Sequence, residues 1–429
     1  MRPRRGREYI TRMLPNSQSS RHCLSNVHTG NPRSSHPTSS SPFLEMFGAK
    51  KRGGNSFRAT IDALELKSRS IANKTEAKRL VERLNELMAK TRDEGEEENC
   101  LRVLIKVCRE QAVLPKSYII SNVRLGEPLN RTVPDIRTGK IGETGIFKRF
   151  RVKVLWKTGK LEKTGQAGES DICIKVFRHD ENQQAFKGAV YGLVVRWKNV
   201  SHPNVLPLLG VSDVIPPFGL VTSRMSGNIK EYTQEHQVVD RILLLSNAAC
   251  GLEYLHSLDI IHGRIHPRNI LITGQGVACI GDFGIAEIIN NSLLASQSRT
   301  ATRQQGGTRY MALEQVKDSS TGKESDVHSF AITAYEVLVR VEPYRGITGE
   351  GPLCMRISNG TPPFGVEAAA VGELPDEIRR MLESCWVPER SKRPTIEKVH
   401  RELQGSRSSQ QEDGKRMVPN DEPHLPEAR

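Results

Sequence analysis

Four short stretches of this 429-residue sequence carry side chains that could do chemistry together. Lys175 closes the apolar run Ile172-Cys173-Ile174-Lys175, so it offers a compact positive charge on a strand-like segment. Asn269 and Asp282 supply amide and carboxylate oxygens, the donors that a hard divalent cation such as magnesium takes. Gly142 and Gly145 leave the backbone bare enough to approach a phosphate. A frame shifted to Gly139 and Gly142 fits nearly as well, and so does an ordinary hairpin turn. In the run His262-Gly263-Arg264-Ile265-His266-Pro267-Arg268-Asn269, Arg264 is a standing cation with no lone pair to take a proton.

The elements that must hold these residues are readable from periodicity. Ile172, Ile174 and Val176 alternate with Cys173 and Phe177, a strand pattern. Beyond residue 240 the period changes: Leu245, Ala248, Ala249, Leu252 and Leu255 line one face of a helix. A strand-rich part followed by a helix-rich part implies an α+β fold. Ahead of it, Leu80, Val81, Leu84, Leu87 and Met88 recur at helical spacing. After an acidic patch at Asp93 to Glu98, Leu101, Leu104, Ile105 and Cys108 do the same, so two helices are expected in a segment spanning 58–117. Their expected role is packing on the next domain; a partner-binding hairpin is the alternative.

The ends read differently. Residues 1–57 are rich in Ser, Arg, Pro, Gly and Asn and are expected to be disordered, as is the polar stretch 405–429. The formal charge of +14 comes largely from residues 1–60, where eleven Lys/Arg face only Glu8 and Glu45. Aromatics are few among those charges, only Tyr9, Phe43, Phe47 and Phe57 in residues 1–60, which argues against specific nucleic-acid recognition. The eight cysteines are scattered without a Cys-x-x-Cys pair, so neither a zinc site nor a disulfide framework is suggested. An intracellular protein, cytoplasmic or nuclear, with no membrane span and no signal peptide is expected.

Taken in order, the stretches around Lys175, His262 to Asn269, Asp282-Phe283-Gly284 and Ala312-Leu313-Glu314 resemble the signature set of the protein kinase superfamily. His202-Pro203-Asn204-Val205-Leu206, Ser325-Asp326-Val327 with Phe330, and Cys385-Trp386 before Arg393-Pro394-Thr395 add to it, in the wording of the tyrosine-kinase-like group of mushroom-type fungi. The resemblance covers about two thirds of the chain. It implies a two-lobed fold over 118–404, a small antiparallel β lobe with one helix (about 118–225) and a larger helical lobe (about 226–404). It implies ATP and magnesium as ligands, with Gly142, Gly145 and Lys175 on the phosphates, Thr222 and Met225 at the adenine pocket and hinge, and Asn269 and Asp282 on the metal. It also implies that Asp326 anchors the loop containing His262, and that Glu314 pairs with Arg393.

The departures carry as much information. In the family an aspartate two residues after the loop histidine accepts the substrate hydroxyl's proton; here Arg264 stands there and cannot act as a base. Asp259 lies before the loop and reads as a turn residue. The helix glutamate that would orient Lys175 falls on Leu193, with Glu181 about three helical turns away. Gly263 replaces an arginine that reads activation-loop phosphate, and Leu313 replaces a proline. A basic insertion, Lys157 to Gly168, reads as an exposed hairpin tip. The hydroxyl residues of 285–311, including Ser292, Ser296, Ser298, Thr300, Thr302, Thr308 and Tyr310, read as a polar loop.

Three functional readings follow. The first is a pseudokinase that signals through protein partners and can retain nucleotide. The second is an active Ser/Thr or Tyr kinase that works by positioning and charge without the base. The third is a binding module that uses the basic N-terminal tail.

Overall fold

A computed structural model describes residues 46–416 apart from 92, 122, 126–152, 163–168, 179–182, 213–217, 286–306 and 365–373. The chain divides into two compact units, Met1–Leu104 and Ile105–Arg429.

The first unit contains α1 (Met46–Ser68), α2 (Lys74–Lys90) and most of α3 (Glu94–Gln111). Asn73 starts α2 by accepting the Glu76 N–H at 3.0 Å, while Glu76 reaches back to the Ala72 N–H at 3.1 Å. The two bonds satisfy donors that the first helical turn would otherwise leave open. The acidic residues at 94, 96 and 97 occupy the first turn of α3, where the helix dipole favours them. Leu80, Val81, Leu84, Leu87 and Met88 are all buried. One boundary needs correction: α1 begins at Met46, inside the stretch 1–57 that composition left without structure. Ala49, Lys50 and Lys51 are helix formers, and a polar helix leaves no apolar period to read.

The second unit opens with the last turns of α3 and places β1 (Val123–Leu125), β2 (Lys153–Glu162), β3 (Glu169–Arg178), β4 (Leu208–Ser212) and β5 (Gly219–Ser223) in one antiparallel sheet of order β1-β2-β3-β5-β4. Ile172 and Ile174 are buried with Val221, so one face of β3 forms the lobe's core. The expected hairpin tip at 157–168 is shorter than composition implied. Residues 157–162 continue β2 and pair with β3 as far as Glu162 opposite Glu169, because a partner strand can hold basic and glycine residues in extended form. Gly142, Gly145, Gly139 and Glu181 lie outside the described residues, as does most of the basic N-terminal tail.

After β3, α4 (Gln183–Lys198) packs on β4, and Trp197 donates from its ring nitrogen to the Leu206 carbonyl at 2.7 Å. The other face of α4 approaches α3 closely. A Cβ on Gly188 would stand 2.0 Å from the Arg109 carbonyl oxygen, and one on Gly192 3.3 Å from the Arg109 Cβ.

The larger lobe is helical. It holds β6 (Gly227–Asn228), α5 (Ile229–Glu235), α6 (Arg241–Ser257), β7 (Ile270–Ile272), β8 (Ala278–Ile280), α7 (Leu313–Lys317), α8 (Lys323–Val339), α9 (Glu350–Ser358), α10 (Asp376–Cys385) and α11 (Ile396–Arg416). The strands form a small antiparallel sheet, β6-β7-β8. Asp240 caps α6 through the Leu243 N–H, and Leu245, Ala248, Ala249, Leu252 and Leu255 are fully buried along its face. The fold is α+β: a small antiparallel sheet lobe with one helix beside a larger helical lobe. The last helix runs to Arg416, past the expected end at 404, with Arg407 pairing to Asp240 at 2.7 Å. No helix among the described residues is long and apolar enough to cross a membrane.

Replacing Gly188 with alanine is expected to force α3 and α4 apart at a cost of about 1–3 kcal/mol. By contrast, Gly405→Ala, with nothing within 4 Å of the added carbon, should stabilise by about 0.5–1 kcal/mol. Chemical denaturation of both variants tests the contrast; equal midpoints would show that the close approach carries no weight.

Candidate functional site

The site is organised by Asp326 on α8, whose carboxylate is 1% exposed. Its Oδ2 accepts the His262 N–H at 2.7 Å and meets His256 Nε2 at 3.0 Å, and its Oδ1 accepts the Gly263 N–H at 2.7 Å. A buried carboxylate needs such donors to offset its lost hydration, and the loop needs somewhere to send its backbone N–H groups. Gly263 is held at φ 77, which glycine reaches without steric penalty. His262 is wholly buried. Its Nε2 lies 2.9 Å from the Gly281 carbonyl, while its Nδ1 accepts the Arg264 N–H at 3.2 Å. That pattern requires the proton on Nε2, and burial lowers the ring's pKa and keeps it neutral.

Three of the chemistry-bearing residues converge above this loop. Lys175, buried on β3, places Nζ 2.8 Å from Asp282 Oδ2. Asp282 takes a left-handed φ of 63, which aims its side chain at the lysine's strand, and the next side chain, Phe283, is fully buried with its ring 5.0 Å from that of Trp197. Asn269 donates its amide to the Arg264 carbonyl at 2.9 Å, which ties it to the same loop. Leu193 on α4 is buried, and its Cδ1 would lie 2.7 Å from a Cβ on Gly284, whose φ is 71. An apolar side chain therefore packs against the turn after Asp282, and the lysine's ion-pair partner is Asp282.

Arg264 is the outlying feature. Its Nε is buried with no hydrogen-bond partner among the described residues, and a Cβ on Gly307 would stand only 3.3 Å from that nitrogen. Burial lowers its pKa to about 10, against the upward pull of Asp282, so the group is still a cation at neutral pH. His266 beside it is held well below the ordinary histidine value, by burial first and then by Arg264, His262, Arg268 and Lys175. Three basic side chains, Arg264, Arg268 and Lys175, thus act on one spot.

Below the cleft, Arg393 binds Glu314 through two bonds of 2.6 and 3.0 Å and sends its other donors to the carbonyls of Val387, Pro388 and Glu324. Burial pushes the Glu314 carboxyl up, but bonds from Arg393 and Ser325 outweigh it and hold the pKa at about 2. Thr222 is buried on β5 opposite Cys173, and Met225, half-buried, lies in the short link from β5 to β6, where Arg224 and Ser226 donate to carbonyls of Asp171 and Ile272.

Sequence reasoning missed several participants. His256 supplies a donor to Asp326, and it sits four residues after Leu252 on the buried face of α6, which was the available signal. Gln315 donates to the Gly263 carbonyl at 3.3 Å. Thr308 and Tyr310 correct the polar-loop reading: both are buried, and their hydroxyls donate to Glu350 and Glu336 at 2.7 and 2.6 Å. Ser292, Ser296, Ser298, Thr300 and Thr302 lie outside the described residues. Asp259 is exposed at a turn and pairs with Lys323.

A family model described as protein tyrosine and serine/threonine kinase matches residues 153–403. The chain is 29% identical over 236 residues to a serine/threonine-protein kinase/receptor of Acanthamoeba polyphaga mimivirus, a match covering 53% of this chain and 14% of that protein. It is 26% identical over 224 residues to the serine/threonine/tyrosine-protein kinase HT1 of Arabidopsis thaliana, covering 51% and 53%. It is 26% identical over 217 residues to the human tyrosine-protein kinase FRK, covering 48% and 41%. The matched stretch thus spans about half or less of these curated relatives' own length.

Removing one partner of the buried pair, as in Arg393→Ala, is expected to cost about 3–5 kcal/mol. Glu314 has a lower pKa folded than its ordinary value of 4.5, so it stabilises the fold above that pH and loses the contribution as pH falls towards about 2. The stability difference between wild type and Glu314→Gln in urea should therefore shrink on acidification through this window. A difference that is constant with pH would contradict the pairing.

Proposed function

The chain belongs to the protein tyrosine and serine/threonine kinase family, and from that membership we propose that it is a pseudokinase of the tyrosine-kinase-like group, acting in signalling by binding protein partners. The observation that carries the reading is Arg264. At the position where the family places the proton acceptor stands a cation whose buried Nε has no hydrogen-bond partner among the described residues. A charged guanidinium cannot take the hydroxyl proton, and it repels the positive charge that would develop there. Leu193 adds to this, since no carboxylate from α4 competes with Asp282 for Lys175. The seven cysteines among the described residues form no disulfide with one another, which supports a reducing compartment such as the cytoplasm.

A second reading, a slow but active kinase, draws on the retained framework: the Asp326-braced loop, the Lys175–Asp282 pair and the Glu314–Arg393 pair. Loss of general-base help alone costs about 10²- to 10⁴-fold and leaves positioning intact.

The family uses ATP with magnesium, and Asn269 and Asp282 are the described residues whose oxygens would hold the metal. In the structure Asp282 Oδ2 is engaged by Lys175 at 2.8 Å.

Transfer of the ATP γ-phosphate to the protein itself and to a generic basic protein, with magnesium and then manganese, separates the two readings. Wild type is expected to match the Asp282→Asn background. Turnover that disappears in Asp282→Asn would establish an active kinase and overturn the proposal. Gain of transfer in Arg264→Asp would locate the defect at that one residue.

A further inference from the structure

Resting on the reading of Arg264 as the occupant of the family's proton-acceptor position, we propose that this residue is also an autoinhibitory wedge: its guanidinium fills the place a substrate hydroxyl would take, and the chain at 307–315 closes over it.

Glycine at 307 is the first sign. Its backbone sits at φ −82 and ψ −15, an ordinary right-handed conformation open to any residue, so no turn geometry requires glycine there. Space does. A Cβ on Gly307 would stand 3.3 Å from Arg264 Nε, 3.4 Å from His266 Cδ2 and 3.6 Å from a terminal nitrogen of Arg264, at or inside the distance where packed atoms settle. Gly307 is buried, and so is Arg264 Nε. The guanidinium and the chain above it therefore fit together because position 307 has no side chain. Two more contacts hold the same stretch to the loop. Gln315 donates to the Gly263 carbonyl at 3.3 Å, and the Tyr310 ring lies 6.0 Å from that of His266. On its far side the stretch is tied to the helical lobe. Thr308 and Tyr310 donate to Glu350 and Glu336, and Arg309 gives bonds of 2.9, 2.8 and 2.7 Å to the carbonyls of Pro343, Tyr344 and Ile347. A cover fixed along both edges closes this approach to position 264. Both hydroxyls on it are buried against carboxylates, where an added phosphate would be repelled, so the closure does not depend on their modification.

A double-mutant cycle on the full chain, read by urea unfolding, tests the interlock. Alanine suits this backbone and narrows the freedom of the unfolded chain, so Gly307→Ala is expected to raise the unfolding midpoint in an Arg264→Ala background. In the wild type, where the added carbon meets the guanidinium, the same change is expected to lower it. Equal shifts in the two backgrounds would overturn the proposal. Modification of the wild-type chain by phenylglyoxal, followed by peptide mapping, needs no variant to fold. Arg264 is expected to react about tenfold or more slowly than the exposed Arg268, with the gap closing in concentrated urea. Burial lowers the Arg264 pKa to about 10, which leaves the group no less reactive, so slow modification reports cover and not charge. Comparable rates for the two arginines in the folded chain would also overturn the proposal. Either failure leaves the pseudokinase reading standing; it falls only to phosphotransfer sensitive to Asp282→Asn.

Discussion

The carboxylate of Asp326 sets the geometry on which the rest of the cleft depends. It is taken out of water inside α8, and the donors that satisfy it are the backbone N–H groups of His262 and Gly263 and the ring of His256. Those bonds pin the start of the loop, and His262 then bridges onward to the Gly281 carbonyl and the Arg264 N–H. Position 264 and the turn at Asp282 are thereby fixed relative to each other by one neutral histidine. A buried network of this kind is favourable only when each member has its partner. Exchange of any one residue is therefore felt along the whole loop.

Within that frame two substitutions change the sign of the site. Leu193 packs on the turn at Gly284, and Lys175 pairs with Asp282. Arg264 places a second cation where the family has an anion. The buried bonds that hold the loop in place are intact, while Arg264 presents a positive charge near Asp282. Stability and chemistry separate cleanly here. Asp326, Glu314 and Arg393 serve the fold, and their buried pairs are satisfied regardless of what the cleft binds.

Much of this was legible in the sequence because it rests on local pattern. The alternation at Ile172 to Lys175, the apolar face of α6 and the order of the short motifs each follow from periodicity or spacing, and the two-lobed α+β architecture follows from them. The misses have physical causes. The helical extents of α1 and α11 carry no apolar period, since the sequence at those ends is largely polar. Residues 157–162 are strand because β3 pairs with them, which composition does not encode. Thr308 and Tyr310 look like loop hydroxyls until carboxylates distant in sequence, Glu350 and Glu336, come within bonding distance. The missing partner of Arg264 Nε among the described residues was likewise invisible, because sequence shows which group stands at a position and not which partners reach it.

The most direct test of the account is amide hydrogen exchange at His262 and Gly263 in the wild type and in Asp326→Asn. The account predicts slow exchange at both amides in the wild type and fast exchange in the variant. Equal protection of these two amides in the two proteins would contradict it.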